Sequence, residues 1–273
     1  MKLAFTLSTQ PTRFQAITFD PNFEESAAYL AQLGYDGIEL GVREPDQLDV
    51  TNLWRILGVY RLTVPAIGTG QVFVEEQLSF TDPDPTIRAR ALARLETHLD
   101  LAARFEPPPI VIVGLIRGGK TSPGVERKQA YAWMVDAITT LARQARARGI
   151  RLAIEPINRY ETDWVNTVAD ALALLQEIGA DNVGILFDTF HANIEEPRIE
   201  ESLRACDARL FHVHLADSNR WYPGAGHTDF ASILATLRTM NYAGWVSAEI
   251  LPKPDVKRAA AETYRTLKPL LKV

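Results

Sequence analysis

One cysteine, Cys206, stands in 273 residues, so the chain can form no internal disulfide and no thiolate metal cluster. A reducing compartment, the cytoplasm, is the expected setting. No stretch approaches the roughly 20 apolar residues that a membrane-crossing helix needs. The apolar part of the N-terminal MKLAFTLSTQPTRF is too short for an export signal and reads as a first strand. Positive charge is scarce too. Lys and Arg number 29 against 34 Asp and Glu, a net charge of −5. That balance argues against a protein that grips nucleic acid through a broad basic face. The chain also lacks a Pro/Gly/Ser linker, a low-complexity segment, an internal repeat and a complete G-x-G-x-x-G fingerprint. Gly68-Thr69-Gly70 wants the third glycine.

What is present is a 47% hydrophobic chain that can bury a large core. Short runs rich in Val, Ile, Leu and Phe alternate with longer helical patterns. The runs predict strands at Lys2–Leu7, Gly37–Leu40, Thr63–Gly68, Pro109–Gly114, Arg151–Glu155, Val183–Asp188, Leu210–Leu215 and Trp245–Ile250. Helices are expected at Glu24–Leu33, Asp46–Leu57, Thr86–Ala103, Arg127–Arg148, Val168–Ile178, Glu200–Ala205, Phe230–Met240 and Val256–Leu271. Eight βα units of about 34 residues each suit a closed barrel better than an open doubly wound sheet. The expected fold is α/β, a single (β/α)₈ TIM barrel domain over residues 1–273.

Sites in such barrels form at the C-terminal strand ends. Strand five ends in Glu155, strand six in Asp188, strand seven contains His212 and His214, and strand eight reaches Glu249. Side chains alternate along a strand. With Glu155, Asp188, His214 and Glu249 inward, the outward set is apolar: Leu152, Ile154, Ile185, Phe187, Phe211, Val213, Val246 and Ala248. A lone carboxylate at a strand end is commonly a salt-bridge or capping group. Four successive strands that deliver one ligand type each, in consistent parity, point to a metal centre. Three carboxylates cannot stay ionised together without a counter-charge. A divalent cation supplies it, with Mn²⁺ or Mg²⁺ suiting three oxygens and one imidazole, and Co²⁺ or Zn²⁺ also acceptable. His212 reads as a packed histidine that orients a neighbouring carboxylate.

The segments EPINRYET (155–162), FDTFHAN (187–193), HVHLADSNRWYPGAGHTDF (212–230) and the Glu of SAEI (247–250) resemble the xylose-isomerase-like barrel superfamily. More narrowly they resemble the ketose 3-epimerases of the D-tagatose/D-psicose type. The resemblance implies Glu155, Asp188, His214 and Glu249 as metal ligands, with Mn²⁺ foremost. It implies Glu155 and Glu249 as the catalytic pair that exchanges the C3 proton of a ketose through a metal-bound enediolate, and Glu161, His191 and Arg220 as substrate-binding residues. It further implies a homo-oligomer acting on a small sugar or sugar phosphate, with no nucleic acid or membrane partner.

Other readings stay open at this point. Aldose–ketose or hydroxypyruvate-type isomerisation and inosose-type dehydration could use the same centre. A non-catalytic, metal-dependent sugar-binding protein would bind without exchanging hydrogen. A metal-dependent apurinic endonuclease needs many histidines, whereas this chain has five, of which His98 falls inside a helical pattern. The loop Leu115–Ser122, in which Arg117 and Lys120 flank Gly118-Gly119, could cradle a phosphate. The motifs lean instead to free ketoses.

Overall fold

The computed structural model describes residues 1–271. Eight parallel strands close on themselves: β1 (Lys2–Ser8), β2 (Gly37–Gly41), β3 (Ala66–Gly68), β4 (Ile110–Val113), β5 (Leu152–Ile154), β6 (Val183–Asp188), β7 (Leu210–His214) and β8 (Trp245–Ala248). Each pairs with its sequence neighbour, and β1 closes the ring on β8 through Lys2↔Trp245 to Phe5↔Ala248. A two-residue strand, Thr18–Phe19, adds to the end of β1. The barrel is the one expected.

Ten α-helices are described: α1 (Phe23–Leu33), α2 (Val50–Tyr60), α3 (Gly70–Glu76), α4 (Pro85–Ala102), α5 (Arg127–Ala147), α6 (Val168–Ile178), α7 (Thr189–Glu195), α8 (Ile199–Cys206), α9 (Phe230–Thr239) and α10 (Val256–Leu271). Eight form the outer ring; α3 and α7 are single short insertions after β3 and β6 that the sequence pattern does not announce. Starts are set by side-chain caps. Asp49 accepts from Asn52 N, Asp229 from Ser232 N, and Thr167 forms a reciprocal capping box with Asp170. None of the helices is long and apolar enough to cross a membrane.

Strand parity divides the core in two. Outward residues such as Leu152, Ile154, Ile185, Phe187, Val213 and Val246 join the large layer between strands and helices. Ala66, Ile110, Ile112, Ala153 and Leu186 pack inside the barrel. Phe211 departs from its expected outward place. Between β6 and β7 the register slips, with Ile185 facing Leu210 but Leu186 facing His212. The extra residue, Phe211, turns inward against the interior cluster, over Gly184. The bulge is what allows Phe211, His212 and His214 all to face inward while Val213 stays outside.

Candidate active site

Glu155, Asp188, His214 and Glu249 converge at the barrel mouth, each with one ligand-type atom within 4.8 Å of the others. From His214 Nδ1 the distances are 3.8 Å to Glu155 Oε1, 3.9 Å to Asp188 Oδ2 and 3.7 Å to Glu249 Oε2. All four side chains are buried. Local structure aims them. Asp188 is the N-cap of α7, its Oδ1 accepting from Phe190 N at 2.7 Å, which turns Oδ2 toward the centre. Gly114 leaves room for Glu155, since a Cβ there would stand 2.8 Å from Oε2.

Glu155 Oε1, Asp188 Oδ2 and His214 Nδ1 are buried without any hydrogen-bond partner. Buried polar atoms without a partner are costly, and here three of them face one point. The donor set, three carboxylates and one imidazole, is that of a hard divalent cation. The residues therefore fit the metal that the strand-end pattern implies.

Burial pushes the carboxyl pKa of Glu155, Asp188 and Glu249 upward, and for Glu155 the negative neighbours Glu249 and Asp188 add to it. For His214 burial opposes the charge, but Glu39, Glu249 and Glu155 outweigh it and raise the imidazole to about 10. Charge in the cluster is thus held back by protons wherever a cation does not balance it.

The three expected substrate-contacting residues lie on the same pocket. His191, carried on α7, has its Nε2 3.8 Å from both Glu155 Oε1 and Asp188 Oδ2, and its Nδ1 2.8 Å from Asn158 Nδ2. Burial, helped by Arg220 and Arg117, holds its pKa well below the usual value, so the ring is neutral. Arg220 bridges Glu249 and Glu161, at 3.1 Å to each, and lies over the Phe190 ring. Glu161 also accepts from Asn158 Nδ2 at 2.8 Å. Glu155, Glu161, His191, Arg220 and Glu249 line one pocket together with Phe14, Gly68, Thr69, Leu115 and Ile157. A wider cleft runs beside α8, along Glu196, Arg198 and His227, and holds none of the four converging residues.

Other candidates have structural work. Asp217 gathers Ser218, Gly224 and Thr228 backbone N–H groups and so shapes the loop after β7. His98 is held between the carbonyls of Arg94 and Val42 inside α4 packing. The 115–122 loop does not offer a phosphate cradle. Arg117 is fully buried and donates to the carbonyls of Gly114, Trp164 and Val165. Lys120 is engaged by Arg159 O and Asp163. Two residues went unnoticed in the sequence. Phe14, from the loop after β1, lines the pocket. Glu39, from β2, touches both inward histidines. The only sign of Glu39 was a lone carboxylate in an otherwise apolar strand.

Residues 27–269 match the family described as xylose isomerase-like TIM barrel. The chain belongs to this family. An L-ribulose 3-epimerase of Methylomonas sp. is 33% identical over 82% of this chain and 77% of its own. A D-psicose 3-epimerase of Agrobacterium fabrum is 30% identical over 85% and 78%. The crystal structure of a Methylomonas sp. D-allulose 3-epimerase in complex with D-allulose superposes with a TM-score of 0.82 at 28% identity, covering 98% of this chain and 96% of that one. Such members are carbohydrate epimerases, enzymes of the isomerase class, and the resemblance drawn from the motifs is borne out.

Proposed function

We propose that the protein is a metal-dependent ketose 3-epimerase. The observation that carries the reading is the convergence of three carboxylates and Nδ1 of His214, with three buried polar atoms left without a partner around one point. A divalent cation there, Mn²⁺ foremost, would be held by Glu155, Asp188, His214 and Glu249. When bound it supplies positive charge that acidifies the C–H beside a ketone. Glu155 and Glu249 are the two groups able to exchange a proton with C3, one removing it and the other returning one to the opposite face. Arg220, tied to Glu249 and Glu161, keeps Glu249 in place and presents a fixed cation to substrate oxygens. Neutral His191, its Nδ1 occupied by Asn158, presents Nε2–H to an oxygen at the ketone end.

A free ketose is the favoured substrate. Arg220 is the one cation that lines the pocket among the described residues, and its guanidinium is already engaged by two carboxylates. A phosphate dianion needs more donors than that. A homo-oligomer in the cytoplasm completes the proposal, the latter in keeping with the single, buried, reduced Cys206.

The test is a panel of free and phosphorylated ketoses with Mn²⁺ in D₂O. Deuterium should enter at C3 as the epimer forms. Binding without deuterium uptake would make the protein a sugar-binding protein, and uptake at C1 would make it an aldose–ketose isomerase. A large kcat/KM advantage for phosphates would overturn the preference for free sugars.

A further inference from the structure

Directly beneath the mouth cluster, a second group of polar side chains is sealed in the barrel. Glu39, His212 and Ser247, from β2, β7 and β8, are all 0% exposed. Glu39 Oε1 lies 2.9 Å from His214 Nε2, and its Oε2 lies 2.7 Å from His212 Nε2. Ser247 Oγ stands 3.0 Å from the same His212 nitrogen. By residue type, Glu39, His212 and His214 could be a second metal triad. The separations say otherwise. An ion bonded at about 2.0–2.2 Å spreads its donor atoms to about 3 Å or more, whereas these are N–H···O distances with room for a proton alone.

We propose that Glu39 is a positioning residue that fixes His214 as a metal ligand through Nδ1; the inference rests on the metal-dependent reading of the mouth cluster. A ring nitrogen that faces a carboxylate at 2.9 Å must carry the hydrogen, so Nε2 of His214 is the N–H. In the neutral ring the lone pair then belongs to Nδ1. That is the atom without a partner, and it looks at Glu155, Asp188 and Glu249. The hydrogen bond also sets the rotation of the ring about its Cβ–Cγ bond. A carboxylate acceptor on the far nitrogen makes a ligating imidazole more basic.

His212 has the complementary task. Glu39 could swing away from His214 if its other oxygen were free, and His212 Nε2 occupies that oxygen. The carboxylate is clamped by two imidazoles from one strand, one of which faces the site while the other does not. His212 and His214, two residues apart, share the inner face of β7, which is what lets one carboxylate meet both. Thr6, level with Glu39 on β1, supplies no competing hydrogen bond.

The experiment measures Mn²⁺ affinity directly, from the paramagnetic resonance of the free ion, for wild type, Glu39→Gln and Asp188→Ala. Gln keeps the shape and removes the charge. Mn²⁺ should bind wild type, bind Glu39→Gln about 10–100-fold more weakly, and be lost from Asp188→Ala. In parallel, wild type carrying ¹⁵N-histidine is loaded with Zn²⁺, and the His214 signals are assigned by their loss in His214→Gln. They should show Nε2 protonated and Nδ1 metal-bound. Equal, negligible binding by wild type and Asp188→Ala would remove the metal reading itself. Tight wild-type binding with unchanged affinity in Glu39→Gln would overturn the positioning role alone. Zinc on Nε2 would overturn it too, in a protein that carries no substitution at Glu39.

Discussion

Arg117 is a cation buried without a carboxylate hydrogen-bond partner. Burial lowers its pKa to about 10, with Glu155 acting to raise it. Its donors go to the carbonyls that close the loop between β5 and α6, including that of Val165, whose φ of +52° is unusual for a β-branched residue. Arg117→Met would leave the Trp164 carbonyl buried and unpaired, while those of Val165 and Gly114 keep the backbone N–H groups of Ile157 and residue 117. A loss of about 1–3 kcal/mol is expected in urea unfolding, with KM rising because Asn158 and Glu161 ride on the same loop. Arg220→Ala should leave Mn²⁺ bound and reduce kcat/KM: the guanidinium donates to Glu249 Oε2, the oxygen that faces His214, yet all four ligand side chains remain without it; calorimetric loss of Mn²⁺ binding would make Arg220 part of the metal site instead. The four mouth residues could be read from the sequence because each ends a recognisable strand with consistent parity. Glu39 could not. Its partners His212 and His214 lie 173 and 175 residues away, and nothing local in Gly-Ile-Glu-Leu says that its side chain ends against two imidazoles.

Among the elements, all eight strands and the eight ring helices were legible from alternation and caps, while α3 and α7 were not. Each has seven residues, less than is needed for a helical period to show. For α7 the omission matters, because that helix makes Asp188 a cap and brings His191 to the pocket. The bulge in β7 was equally hidden, since one extra residue leaves the apolar composition of a strand unchanged. It does leave a mark at Gly184, where any Cβ would collide with the Phe211 ring and the Arg209 carbonyl. Gly184→Ala should therefore destabilise by about 1–3 kcal/mol, read as a lower urea midpoint with an unchanged m-value. A neutral result would mean that Phe211 can leave the interior freely.

For the whole molecule, the mouth cluster ties stability to pH and to metal. Burial raises the folded-state pKa of Glu155, Asp188 and Glu249. In His214 burial is outweighed by Glu39 and Glu249, and the pKa rises to about 10. A group raised in this way stabilises the fold fully below its unfolded pKa, and the contribution drains away as the pH climbs through the folded one. The metal-free site thus becomes less favourable as pH rises. A cation that displaces those protons binds more tightly in the same direction. The melting-temperature gain from Mn²⁺ should be larger near about pH 8 than near about pH 6. A constant or shrinking gain would show that metal and protons do not compete at these residues.

Phe211, turned inward over Gly184, stoppers the lower end of the barrel against Ala153 and Leu186. Glu39, His212 and Ser247 are sealed beneath the carboxylates as well, so the pocket at the mouth is a blind alley. A sugar that has changed hand at one carbon must back out the way it came, past the next molecule waiting to enter. Traffic through one doorway makes the two epimers mutually exclusive occupants. Each should inhibit the conversion of the other competitively, raising apparent KM and leaving the limiting rate untouched in initial-rate assays with both sugars present.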